Sequence, residues 1–206
     1  MGRGARSYGG KTADERAADR RARLIEAAIT VLATRGEART TMTAVCAEAG
    51  LTERYFYESF ASRDDALVAA LDAVSDEIAS TALEAIAASS GEPADRVRAV
   101  IDAVVDRVVA APDRMRVALV ESTANATLRA RRHAQQDTFA GLIAREARSI
   151  FGDATWPEPR DRVQGLLYIA GLSELVASWL IGELELTPEE LATTASDSLV
   201  ALMRRA

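Results

Sequence analysis

The sequence predicts an all-α protein in which a small N-terminal helical head joins a larger helical body. Three observations carry that expectation. Ala, Leu, Arg and Glu are abundant among the 206 residues, whereas Gly (12) and Pro (5) are few and fall between long stretches; the abundant types lose little side-chain freedom in a helix. Apolar residues recur at helical spacing, as in Ile25, Ala28, Ile29 and Leu32. Capping residues and Gly or Pro mark the ends of these stretches and leave no room for a sheet.

The elements follow in order. Residues 1–18 are Gly-, Arg- and polar-rich and are expected to form a disordered arm. A first helix is predicted over 19–34, stopped by Gly36. Thr41 caps a second over 42–49, closed by Gly50, and Thr52 caps a third over 53–59. Ser62, with Asp65 three residues on, opens a fourth over 63–88, with Leu67, Leu71, Val74 and Ile78 on one face. After the break at Ser89-Ser90-Gly91, Pro93 starts a fifth helix with Val97, Ile101, Val104, Val105 and Val108 as its apolar face, and Pro112 starts a sixth. A weak break at 125–127 precedes a seventh helix over 128–151. The loop 152–159 leads to an eighth over 160–185, and Thr187, Pro188 and Glu190 open a ninth that ends near 205.

Composition narrows the chemistry. One cysteine, Cys46, excludes an intramolecular disulfide and a thiolate zinc site, and one histidine, His133, excludes a His-rich metal site. No cofactor is expected. The basic N-terminus lacks the apolar core of a signal peptide, so a cytoplasmic location is expected. Residues 165–182 carry Glu174 as their one charge and reach the lower limit of a membrane span; a helix buried in a core or interface is the favoured reading. The net charge of −6 is unevenly spread, with 11 Lys/Arg against 8 Asp/Glu in residues 1–63 and 14 against 23 in 64–206. A basic head on an acidic body suits a chain that turns one end toward nucleic acid.

The informative segment is Thr41–Leu67. Two helices of about two turns each cannot stand alone and must cross steeply while packing on the first helix. Cys46 supplies the small residue at the crossing, Gly50 the left-handed turn, and Val45, Ala49, Leu51 and Phe56 the interior. This is the spacing of a helix-turn-helix, whose second helix enters a major groove.

The same segment resembles the tetracycline-repressor (TetR) family over roughly residues 20–70. The resemblance rests on Thr41, Cys46, Ala49-Gly50, Leu51, Thr52, Tyr57-Glu58-Ser59-Phe60, Ser62-Arg63 and Leu67. Departures are Arg54 and Tyr55 where small residues are usual, Ser59 for an aromatic or His, Cys46 for Ala, and Arg63 for Lys. The resemblance implies a flexible basic arm over 1–18, a DNA-binding domain over 19–66, and a ligand-binding and dimerisation domain over 67–206. It places Thr41 and Thr43 at the DNA backbone, and leads Thr52, Glu53, Arg54 and Tyr55 into the groove. Tyr57 and Arg63 are placed on phosphates. Arg54 either reads guanine or contacts a phosphate, with base reading favoured. Glu53 is read as solvated or Arg-paired rather than as a cytosine reader.

The resemblance further implies a homodimer through helices eight and nine on a near-palindromic operator. It also implies a transcriptional regulator, expected to repress, that is released by a small effector. Val74, Ile78, Val104, Met115, Leu119, Asn125, Phe139 and Ile143 are the candidate pocket residues, and their apolar character predicts a largely hydrophobic effector. Tyr168 and Trp179 are assigned to core or interface, His133 to the surface, and Cys46 to packing. Seven Lys/Arg in residues 1–23 (Arg3, Arg6, Lys11, Arg16, Arg20, Arg21, Arg23) form a basic reserve that either follows phosphates or is a solvated tail. The alternatives, an enzyme or a helical dimeric small-molecule binder not acting on DNA, leave Thr41–Leu67 unexplained, and no nucleophile–base pair, phosphate loop or metal spacing supports an enzyme.

Overall fold

A computed structural model describes residues 12–205. The described chain forms α1 (Ala13–Arg35), α2 (Met42–Ala49), α3 (Glu53–Ser59), α4 (Arg63–Ala88), α5 (Pro93–Ala110), α6 (Pro112–Leu119), α7 (Ala126–Phe151), α8 (Arg160–Leu180) and α9 (Pro188–Met203), with single 3-10 turns at Glu37–Arg39, Glu121–Thr123 and Gly152–Ala154. The all-α expectation holds.

Two helix ends differ from the sequence reading by five residues or more. α1 begins six residues earlier than residue 19, at Ala13. Thr12 Oγ1 accepts the Glu15 amide at 3.1 Å while Glu15 Oε2 accepts the Thr12 amide at 2.6 Å. This reciprocal capping box makes residues 13–18 helical rather than part of an arm; Arg3, Arg6 and Lys11 of that arm lie outside the described residues. α8 stops at Leu180 instead of 185 because Gly182 turns the chain at φ 79°. Trp179 Nε1 then holds the connecting loop by donating to the Leu186 carbonyl at 2.8 Å.

Head and body share one apolar core. Leu24, Ala28 and Leu32 of α1 meet Val45, Cys46, Phe56 and Phe60 on one side, and α4 and α6 on the other, with Leu67, Leu71 and Met115 fully buried. The expected domain boundary at residue 66 falls inside α4, which runs without interruption from head to body. In the body, α8 lies close against α7 at Gly165, where a Cβ would lie 2.6 Å from the Ala140 carbonyl oxygen. The C-terminus is tied to the α7–α8 loop by Trp156 Nε1 donating to Leu202 O at 3.0 Å and the Arg205 amide donating to Ala154 O at 2.7 Å.

Candidate nucleic-acid interface

Local chemistry builds the corner between α2 and α3. Thr41 Oγ1 accepts the Ala44 amide at 3.1 Å and starts α2. Gly50, at φ 61°, reverses the chain so that the Leu51 amide returns to the Cys46 carbonyl at 3.0 Å. Arg23 Nη2 of α1 donates to the Ala49 carbonyl at 2.6 Å and clamps the end of α2. Val45, Cys46, Ala49 and Phe56 close the interior, with the Phe56 and Phe60 rings 5.4 Å apart. Burial and the Glu53 charge push the Cys46 thiol up, as expected of a packing residue.

With Phe56 turned inward, α3 presents its polar side to solvent. Thr52, Glu53, Arg54 and Tyr57 are exposed, Arg54 by 83% and Tyr57 by 61%, and Thr41 and Thr43 of α2 lie exposed beside them. Thr52 occupies the N-cap position, but its side chain accepts no capping bond. Tyr55 is half-buried, with the Arg20 guanidinium 4.5 Å from its ring centre. Glu58 pairs with Arg54 at 3.0 Å and lies 3.7 Å from Arg20, so the acids of α3 are partly neutralised where they stand. α1 thus lays a basic edge along α3. Arg20 fell within the helix that the sequence predicted from residue 19, but its place beside α3 is a tertiary contact that helical spacing does not mark.

Arg63 points elsewhere than the phosphate role implied. Its Nε donates to the Thr40 carbonyl at 2.6 Å, and Nη2 reaches both the Glu37 carbonyl and Glu37 Oε1, the latter at 2.6 Å. Asn125 Nδ2 donates to the same Glu37 Oε1 at 2.9 Å, and Asn125 Oδ1 caps α7 through the Leu128 amide at 2.8 Å. The hydrogen bonds from Asn125 and Arg63 hold the Glu37 carboxyl below the usual carboxylate range. Arg63 therefore joins head to body with its donors engaged inward. A second junction runs through Arg114 of α6, which pairs with Glu26 of α1 at 2.6 Å and with Glu77 of α4.

The body contains two adjoining apolar cavities that share Ile78, Val104, Phe139, Ile169 and Leu172. Their volumes are about 80 and 120 Å³, and both open partly to solvent. Of the candidate pocket residues, Ile78, Val104, Leu119, Phe139 and Ile143 line these cavities. Val74 and Met115 are core residues outside the lining, and Asn125 belongs to the Glu37 junction. Ile169, Leu172 and Arg132 were missed, because an apolar run such as α8 does not show which of its faces meets a void. Tyr168 is buried between α8 and α9, donating to the Ala195 carbonyl at 3.1 Å, and His133 is exposed.

A closed three-helix corner with one exposed polar helix, carried on an all-helical body, defines a helix-turn-helix DNA-binding regulator. Residues 24–71 match the family model described as bacterial regulatory proteins, tetR family. No curated protein sequence matches it. The fold is similar to that of the fatty acid degradation regulator FadR from Bacillus halodurans (15% identity, 95% of this chain and 100% of that one, TM-score 0.70). It is also similar to a TetR-like transcriptional regulator from Rhodococcus sp. RHA1 (18% identity, 87% and 93%, TM-score 0.64) and to the multidrug binding protein EbrR complexed with imidazole (22% identity, 91% and 96%, TM-score 0.67).

Proposed function

We propose that the protein is a cytoplasmic, effector-responsive repressor that binds a near-palindromic operator as a homodimer and leaves it when a small, mostly hydrophobic molecule enters the body. The observation that carries this reading is the α3 face, where Arg54 and Tyr57 stand exposed on a helix whose other side is locked by Phe56. Thr41, Thr43 and Tyr57 supply backbone contacts, and Thr52, Glu53, Arg54 and Tyr55 lead α3 into the groove, where Arg54 reaches the bases. Arg20 supplies positive charge beside α3, and Arg63 keeps the head in register with the body.

Dimerisation is supported by α8. Among the described residues it is the one helix long and apolar enough to cross a membrane by length and composition, yet only 17% of its most apolar window is buried within the chain. Val163, Leu166 and Leu167 form an exposed apolar stripe that a second copy would cover, with α9 alongside. Leu199 lines a cavity and Trp179 is bonded to Leu186, so these two residues serve the body's interior rather than that stripe.

Effector control is supported by the junctions. The cavities touch α4, α6 and α7, the same helices that hold the head through Glu77, Arg114 and Asn125. EbrR, of similar fold, is complexed with imidazole. A ligand acts only if it favours the state in which the heads are misplaced.

Selection of binding sites from a random duplex library tests the reading. The expected product is a near-palindrome with half-sites about 34 Å apart. Arg54→Ala should relax one position per half-site at a cost of about 1–3 kcal/mol, and Leu167→Glu should yield monomers with much weakened operator binding. Equal weakening on all sequences by Arg54→Ala would assign Arg54 to phosphate, and a dimeric Leu167→Glu protein would place the interface elsewhere.

A further inference from the structure

The cavity pair has a polar end. Arg132, Gln135 and Gln136 of α7 and Ser75 of α4 line the first cavity together with apolar side chains. The second cavity is apolar apart from the Tyr168 ring and Glu146, which is paired with Arg145 at 2.9 Å. Arg132 is unusual among the arginines of the body. Its side chain is only 15% exposed, and among the described residues it makes no hydrogen bond; its one ion pair is a long 4.0 Å approach to Glu174, itself 76% exposed. Neither Ser75 nor Gln136 has a side-chain hydrogen-bond partner among the described residues, although Ser75 is 6% exposed. By contrast, Gln135 donates to Asp72 at 2.9 Å.

A guanidinium carries five N–H donors in a planar fork. Withdrawing it from water without a hydrogen-bonding counter-ion is costly, and a carboxylate or phosphate satisfies it bidentately. From the polar end the lining continues along α7 through Phe139, Ile143 and Ala147 to Phe151. Between residues 136 and 151 that is on the order of 20 Å at the rise of an α-helix, bounded almost wholly by hydrocarbon.

We propose that the effector is an amphipathic anion whose head group is held by the Arg132 guanidinium, with Ser75 and Gln136 beside it, and whose unbranched apolar tail lies along α7 in the second cavity. This rests on the reading of the body as an effector site and deepens it by naming the ligand's chemical class. The head forms charge-assisted hydrogen bonds at α7 and α4 at once, so a ligand of this kind bridges two helices that carry the head junctions.

Calorimetric titration of the full-length protein tests it with four probes of one tail length: decanoate, decyl phosphate, decan-1-ol and decyltrimethylammonium. At least one anion should bind ten-fold or more tighter than the alcohol, and the cation should bind weakest. The arm that binds better tells a carboxylate from a phosphate head. Arg132→Met should bring the favoured anion to the affinity of the alcohol while leaving the alcohol's own affinity within about two-fold, and Arg132→Lys should restore part of the preference. Equal binding of alcohol and anions, no binding of any probe, or an anion preference that survives Arg132→Met overturns the proposal. Operator release is measured separately: an anion that binds through Arg132 yet leaves DNA retention unchanged confirms the ligand class and overturns effector control.

Discussion

The head and the body are made of the same helices and residue types, yet they are packed to opposite ends. In the head, short helices are held by local devices and by a core with almost no slack: Phe56, Leu24 and Leu32 are 1% exposed or less, and Gly50 and Arg23 fasten the corner from inside and outside. In the body, longer helices leave space between α4, α5, α7 and α8 that apolar side chains line without filling. A close-packed unit resists deformation, whereas an underfilled one can repack at small cost. The difference teaches where rigidity and response reside. The surface that would read bases is carried on the tight part, and the part that would sense a molecule is the one with room to move.

The largest effect that separates the two regions comes from removing a ring in each. Phe56→Ala should cost about 3–5 kcal/mol by denaturant unfolding, because the corner has nothing to collapse into the void. Phe139→Ala, at the edge of existing space, should cost less than half as much. Equal losses would remove the contrast between the regions.

Next in size is Gly165→Ala. The added Cβ would meet the backbone of Ala140 at 2.6 Å, which cannot yield as a side-chain tip can. Separation of α8 from α7 should cost about 1–3 kcal/mol. A thermal melt within a degree or so of the parent would show that the body absorbs the strain, which would sharpen the case that it is the deformable part.

The smallest expected effect concerns the junction between the regions. The hydrogen bond from Arg114, and less so that from Arg107, lowers the Glu77 carboxyl below its ordinary value of 4.5. A group lowered by folding contributes stability above its unfolded value and loses it as pH falls through the folded one. Glu77→Gln should therefore cost about 1–2 kcal/mol at pH 7, with the gap to the parent narrowing as pH drops below 4.5. A gap that stays constant with pH would mean that the carboxylate charge contributes nothing at this junction.

Much of this was legible in the chain itself. Thr41, Gly50, Thr52 and Ser62 mark helix ends that the structure reproduces residue for residue in α2, α3 and α4, because caps and left-handed glycines act within a few residues of their own backbone. The same logic, applied to Thr12 and Glu15, would have placed the start of α1, but the Gly- and Arg-rich composition ahead of it drew the reading toward an arm. The exposed face of α3 was readable for a related reason: Phe56 can only turn inward, and the remaining positions follow from helical periodicity.

What the sequence by itself determined, then, is helicity, the ends of the elements and the helix-turn-helix corner, all set by interactions that span about four residues. Only the tertiary structure decided the long-range partners. Arg63 turned inward to Glu37, 26 positions away, and Arg114 reached back 88 positions to Glu26. Among the described residues Arg132 was left without a hydrogen bond beside a void, and α8 kept most of its apolar window uncovered. A charged or apolar side chain carries no local mark of its distant partner, since Coulomb attraction and burial depend on which surfaces the packed helices bring together.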